Sequence, residues 1–234
     1  MSKIPVDSIP GCSLNDADTI QSLVAIPENS TTNWEKAYTY IEDIKDGRGF
    51  TCGLVGFTSG THDLLMVVNE LKKINANHPL VEFLPNLRKV DGTSSTKGLE
   101  GFAEKVKTLK DDQDWKKAQW VVLIRLYWKP SFDVCVKFNV KSPLSLYIIY
   151  DSYLNFGNVK WILRDMNASP AEEGKEAEWL TKFLISKRAY MKKDKSVGPC
   201  DRVDFQQKLV ESGNFTLKRP ISGIRCYGSK FTIK

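Results

Sequence analysis

Residues Pro27 to Asp63 read PENSTTNWEKAYTYIEDIKDGRGFTCGLVGFTSGTHD, and this stretch holds two carboxylates in opposite surroundings. Upstream of Glu28, Asn15 reads as a helix N-cap with Asp18 three residues on. Ile20, Leu23 and Val24 then recur at helical spacing, and Pro27 closes the run. That reading places Glu28 just past a helix C-terminus, where the partial negative charge of the helix end suits a proton donor. Asp46 sits in Lys45-Asp46-Gly47-Arg48-Gly49, a glycine-hinged turn with a cation on either side, so it is expected to stay ionised. Hydrolysis of a glycosidic bond needs such a pair, because the leaving oxygen gains a proton while a water loses one. Each acid alone is also an ordinary loop residue, since turns are rich in Asp-Gly.

Between and beyond the two acids the pattern is mixed. Trp34, Ala37, Tyr38, Ile41 and Ile44 keep helical spacing, which assigns Trp34 and Tyr38 to the core and leaves Tyr40 off that face, free to meet a sugar ring. Thr51 to Thr61 sets Gly53, Gly56 and Gly60 among Leu54, Val55 and Phe57, which predicts short strands of a small antiparallel sheet. Thr61 then caps a helix through Leu64, Val68 and Leu71, with Asp63 in its first turn complementing the helix dipole.

In order, Glu28-Asn29-Ser30, Trp34, Tyr38-Thr39-Tyr40-Ile41-Glu42-Asp43-Ile44, Asp46-Gly47-Arg48-Gly49-Phe50-Thr51, Gly56-Phe57-Thr58-Ser59-Gly60-Thr61 and Asp63 resemble the signature of glycoside hydrolase family 46 chitosanases. The resemblance implies Glu28 as general acid, Asp46 as general base and Thr51 as the residue that positions the attacking water. It implies Ser30, Tyr40, Arg48 and Asp63 as substrate contacts, Asp63 toward a sugar amine. It also implies an endo-acting, inverting enzyme on the β-1,4 linkages of chitosan or chito-oligosaccharides, with carboxyls roughly 6.5 to 9.5 Å apart to admit the water. Arg202-Val203-Asp204 matches a family motif whose Arg pairs with the Asp at position 151 and links it toward the catalytic acids. A third member of that network, an Arg in the family, aligns with Lys187, which cannot make the same bidentate fork. Phe156 stands where the resembling enzymes tend to have a His.

Elsewhere, helices are expected near Pro79 to Leu87, from Asp114 to Trp128, and from Ser142-Pro143 to Gly157. A long helix is expected from Ser169-Pro170 through Trp179, Phe183 and Tyr190, with Glu172 and Glu173 in its first turn, and a last one from Arg202 to Gly213. Asp151 falls inside an apolar helix and needs a partner. Phe132, Val134, Val136, Phe138 and Val140 alternate with Asp133, Cys135, Lys137 and Asn139, a half-buried strand by period, whereas the resemblance implies helix there.

At 234 residues the chain fits one catalytic domain over 1–234, in two lobes around a cleft. The expected fold class is mainly α (α+β): lysozyme-like, two mostly helical lobes with a small antiparallel sheet flanking a substrate cleft. The net charge of +6 raises nucleic acid as a partner. The cations are scattered, however, apart from Lys187-Arg188 and Lys192-Lys193-Asp194-Lys195, a solvated helix end. Glu28, Glu42, Asp43, Asp46 and Asp63 supply the local acidity that a polycationic chitosan demands, so the expected partner is that substrate, with no nucleic acid, no membrane and a monomeric enzyme. His62 and His78 lie at no metal-ligand spacing, so neither metal nor other cofactor is expected, and Cys52 with His62 is a weak nucleophile pair. Cys12, Cys52, Cys135, Cys200 and Cys226 are odd in number and widely spaced, which favours reduced thiols. No signal peptide is visible, although the resembling enzymes act outside the cell. Two competing readings are a lysozyme-like muramidase on peptidoglycan and a non-catalytic basic protein binding polysaccharide or nucleic acid.

Overall fold

The computed structural model describes residues 3–194 and 201–234. Ten α-helices and two antiparallel sheets occur among them, and the chain divides into two compact units, each discontinuous in sequence.

The first unit combines Met1–Asp7 with Asn33–Leu126. A 3-10 helix, Trp34–Thr39, leads into a three-stranded sheet of β1 (Ile41–Glu42), β2 (Thr51–Cys52) and β3 (Phe57–Thr58), with β2 central. The apolar spacing of Trp34 and Tyr38 thus serves a tighter helix than expected, and both side chains are buried as the sequence implies. Tyr38 is the polar hub of this core. Its backbone carbonyl accepts from the Trp115 indole at 2.8 Å and from Gln119 Nε2 at 3.1 Å, and its hydroxyl accepts from Trp120 Nε1 at 2.6 Å. Each indole therefore buries its ring without orphaning its one donor. Trp115, Gln119 and Trp120 all lie on α5 (Gln113–Leu123), which packs against α2 (Asp63–Ile74). Gln119 Oε1 accepts from Leu54 N at 2.9 Å, tying the bend after β2 to the same helix. A 3-10 turn (Pro79–Phe83) followed by α3 (Leu84–Val90), and then α4 (Phe102–Thr108), complete the unit.

The second unit combines Ser8–Thr32 with Tyr127–Lys234. Its centre is α7 (Pro143–Phe156), buried on all sides from Leu144 to Ser152. Both ends follow the sequence. The Ser142 hydroxyl accepts from Ser145 N at 3.1 Å, Pro143 occupies the first turn, and Gly157 caps the C-terminus at φ 74°. Around it lie α1 (Leu14–Asn29), α6 (Lys129–Lys137), α8 (Lys160–Asp165), α9 (Glu176–Lys193), α10 (Asp201–Glu211) and a hairpin of β4 (Ile221–Cys226) and β5 (Ser229–Ile233).

Three expectations are corrected here. First, α1 is capped by Ser13: its hydroxyl accepts from Asp16 N while Asp16 accepts from Ser13 N, a reciprocal capping box that outcompetes Asn15. Second, residues 131–140 do not form a strand. α6 buries Ser131, Val134 and Cys135, with Phe138 continuing that face beyond its end, while Val136 is 62% exposed, so the apolar alternation coincided with helical spacing on one side only. Third, the helix expected from Ser169 starts at Glu176, because Gly174 at φ 74° breaks the backbone and Trp179 donates its indole N–H to Ser169 O at 2.9 Å. Glu172 and Glu173 therefore precede the first turn, which holds Glu176 and Glu178. The tail, for which the sequence carried no expectation of structure, forms the β4–β5 hairpin. Cys12, Cys52, Cys135 and Cys226 are free thiols; Cys200 and Lys195 lie outside the described residues.

Candidate active site

Glu28 occupies the last turn of α1 rather than a loop beyond it. The helix runs through Pro27, and Ser30 ends it in the left-handed conformation at φ 51°, its N–H donating to Ile26 O at 2.9 Å. Pro27 has no N–H of its own, so the turn that carries Glu28 is held by this cap. Arg202, near the start of α10, donates from Nη2 to Glu28 Oε1 at 2.7 Å. Its Nη1 stands 3.3 Å from Asp151 Oδ1, an ion-pair distance outside hydrogen-bond geometry.

Asp151 is completely buried, and its other oxygen carries the hydrogen bonds. Oδ2 accepts from Lys187 Nζ at 2.7 Å and from Gln206 Nε2 at 2.8 Å, and Lys187 also donates to Gln206 Oε1 at 3.1 Å. Lys187 is as buried as Asp151, both at 0% side-chain exposure. Burial opposes the charge on Asp151, but Arg202 and Lys187 together outweigh it and hold the carboxyl below its usual range. Two buried cations thus face one buried carboxylate, and the Glu28 carboxyl is the second acidic group on Arg202. The lysine fills the position where the resemblance implies an arginine. A lysine makes a point contact, not a fork, and Gln206 supplies the second donor to Asp151. Gln206 was not signalled by the sequence reading, although it lies four residues after Arg202 on α10 and so shares its face. Arg188, beside Lys187, pairs instead with Asp204. Phe156 packs edge-on against Trp161 and Tyr190 and lies 5.9 Å from Lys187 Nζ, so it covers the buried lysine.

Asp46 lies in the other unit. Its Oδ1 accepts from Arg48 N at 3.1 Å, and its Oδ2 accepts from Arg48 Nε at 2.8 Å and Nη2 at 2.5 Å. Those side-chain bonds hold the carboxyl below its ordinary range, in line with the expectation that it stays ionised. Lys45 does not contribute, because it pairs with Asp43 at 2.6 Å. The turn is clamped from below: Gly60 N donates to Arg48 O at 3.0 Å, Ser59 N to Phe50 O at 2.9 Å and Phe50 N to Ser59 Oγ at 2.9 Å. A side chain at Gly60 would meet Thr93 O at 2.2 Å, so the close approach requires glycine.

Thr51 follows on β2. It is 9% exposed, and its hydroxyl has no hydrogen-bond partner among the described residues. Asp63 Oδ1 accepts from Thr58 N at 2.7 Å, Leu64 N at 2.9 Å and Thr61 Oγ1 at 3.2 Å. Thr61 is therefore a partner of Asp63 and not the cap, which is His62 at φ 72° held by Asp91. Burial pushes the Asp63 carboxyl up, against the pull of these hydrogen bonds, so the helix dipole does not decide its charge as expected. Tyr40, half-buried, donates its hydroxyl to Glu42 at 3.2 Å. Cys52 is fully buried, and burial, reinforced by Asp63, raises its thiol out of the reactive range, which removes the Cys52–His62 pair.

The sequence-derived residues thus fall into two groups: Glu28, Ser30, Asp151, Lys187 and Arg202 in one unit, and Tyr40, Asp46, Arg48, Thr51 and Asp63 in the other. The family model described as glycosyl hydrolase family 46 matches residues 22–221, which include both groups. The chain belongs to glycosyl hydrolase family 46. It is a glycoside hydrolase, mainly helical and lysozyme-like in fold. A chitosanase of Nocardioides sp. (strain N106) is 33% identical over 227 residues, covering 92% of this chain and 81% of that protein. Among solved structures, chitosanase OU01 with substrate matches with a TM-score of 0.84 and 31% identity over 95% of this chain and 98% of that one. The family 46 chitosanase of Gynuella sunshinyii with chitotetraose matches with a TM-score of 0.81 and 26% identity over 95% and 99%.

Proposed function

We propose that this family 46 hydrolase is an endo-acting chitosanase that cleaves β-1,4 linkages between glucosamine units with inversion, and that residues 1–234 act as one monomeric catalytic domain. Glu28 gives a proton to the leaving glycosidic oxygen. Asp46 takes one from a water that attacks the anomeric carbon, and Thr51 holds that water. The carboxylate left on Glu28 meets the guanidinium of Arg202, whose charge is fixed by Asp151 behind it. Ser30, Tyr40, Arg48 and Asp63 contact the sugars, Asp63 through a substrate amine.

The observation that carries this reading is a buried Thr51 hydroxyl with no partner among the described residues, in the same unit as an Asp46 carboxyl that Arg48 holds below its usual range. A buried hydroxyl rarely stays unpaired, and a water beside a general base would satisfy it. The chitosanases named above, one with substrate and one with chitotetraose, support the polymer assignment. Fully deacetylated chitosan incubated with the enzyme should release the α-anomer first, read by proton NMR before mutarotation. Glu28→Gln and Asp46→Asn should each lose about 100- to 10,000-fold in kcat while keeping the thermal midpoint. Initial β-anomer, or retained turnover in Glu28→Gln, would refute the mechanism.

A further inference from the structure

The turn of the C-terminal hairpin has no role in the chemistry above, and its residues are the wrong ones for its geometry. Cys226 pairs with Ser229, so Tyr227 and Gly228 form a two-residue loop, with φ of 47° and 79°. Both central positions of such a loop need positive φ, and Asn-Gly, Asp-Gly or Gly-Gly is the strongly preferred filling. A bulky aromatic residue in the left-handed region is an outlier, and backbone strain of this kind clusters at functional sites. Gly228 satisfies the turn; Tyr227 does not.

The side chain is not drawn into the core in exchange. Tyr227 is 56% exposed, and among the described residues neither its ring nor its hydroxyl has a partner. Its backbone is nonetheless fixed, because Tyr227 N donates to Asp201 Oδ2 at 3.1 Å. The next residue, Arg202, donates to Glu28 at 2.7 Å, so the turn is anchored one residue from the cation that holds the proposed acid. The Tyr227 hydroxyl also lies within electrostatic range of Arg202, Glu28 and Asp201.

We infer that Tyr227 is a substrate-binding residue whose exposed ring takes the face of an amino-sugar unit close to the bond that Glu28 serves. Two features favour that ligand. A phenol ring offers an apolar face and a polar tip, which matches the C–H face and hydroxyl edge of a pyranose. Its negative face, beside Glu28 and Asp201, also suits the ammonium of glucosamine. The inference rests on the chitosanase reading.

Tyr227→Asn separates a binding role from a structural one, since Asn-Gly is the better turn. The thermal midpoint should hold or rise, while KM for glucosamine oligomers rises about three- to tenfold, more than kcat falls. Tyr227→Phe, which keeps the ring, should lose less. Direct titration of glucosamine hexamer into Glu28→Gln, with and without Tyr227→Asn, should show the same loss of affinity without turnover. Unchanged KM and Kd in Tyr227→Asn, with a wild type that cleaves chitosan, would overturn the assignment of Tyr227 alone. A wild type that neither binds nor cleaves the oligomer would overturn the chitosanase reading and this inference with it.

Discussion

Replacing Lys187 by Met tests whether the buried network is held by charge or by packing. The lysine and Asp151 are both fully buried with 2.7 Å between Nζ and Oδ2. Met matches the length of the stem but leaves Asp151 with Gln206 and with an Arg202 contact of 3.3 Å that makes no hydrogen bond. Removing one partner of a buried pair costs about 3–5 kcal/mol, because the remaining charge stays desolvated. At about 2–4 °C per kcal/mol for a chain of this size, the thermal midpoint should fall by about 6–20 °C. Adding Asp151→Asn removes the stranded charge, so the double variant should recover about 2 kcal/mol relative to additivity. The pH dependence follows from Asp151, whose folded pKa lies below its unfolded value near 3.9. Its contribution is complete above that value and is lost as pH falls through the folded pKa. Lys187→Met relaxes the depression, so the variant has less of this stability to lose and the gap in midpoint between it and the wild type should narrow as pH falls below that value. Calorimetry on the four proteins of the cycle, at pH 7 and at about pH 3, measures all three quantities. A midpoint loss under about 2 °C, or additivity within about 0.5 kcal/mol, would refute the charge argument.

Arg48→Ala removes the donors that hold Asp46 below its usual range, so the acidic limb of kcat/KM, where a general base must lose its proton, should move to higher pH. An unmoved limb in a pH–rate profile would exclude Asp46 as that base. Gly60→Ala would drive a methyl into Thr93 O at 2.2 Å and Arg48 O at 2.9 Å. It should cost about 1–3 kcal/mol and lower kcat more than it raises KM, because the Asp46 turn has to shift; thermal melts with steady-state kinetics check both.

The parts of the fold legible in the sequence are those written in local chemistry. Ser142-Pro143 and Gly157 mark both ends of α7, and the Asp46 turn follows from its two glycines. Competition between local signals defeated the reading elsewhere. Ser13 and Asn15 both look like caps, and only the reciprocal bond to Asp16 decides between them. Residues 132–140 satisfy period two and helical spacing at once, and the solvated Val136 reveals which one holds. Long-range partnerships were legible only through resemblance. Arg202 was matched by its motif to Asp151 and toward the catalytic acids, whereas the bridging role of Gln206 depends on helices brought together from distant positions. The hydroxyl of Thr51 carries no sequence mark of being unpaired; that is a property of what surrounds it.

Helix α1 is clasped by segments that follow it by well over a hundred residues. Gln21 is bonded to Tyr150, Glu28 to Arg202, and Asp18 to Arg219 across 201 residues. The proposed proton donor therefore cannot be seated until Arg202 has been made, and a nascent chain stopped before residue 202 holds Glu28 without its arginine. Such late closure slows folding, since distant segments must find one another.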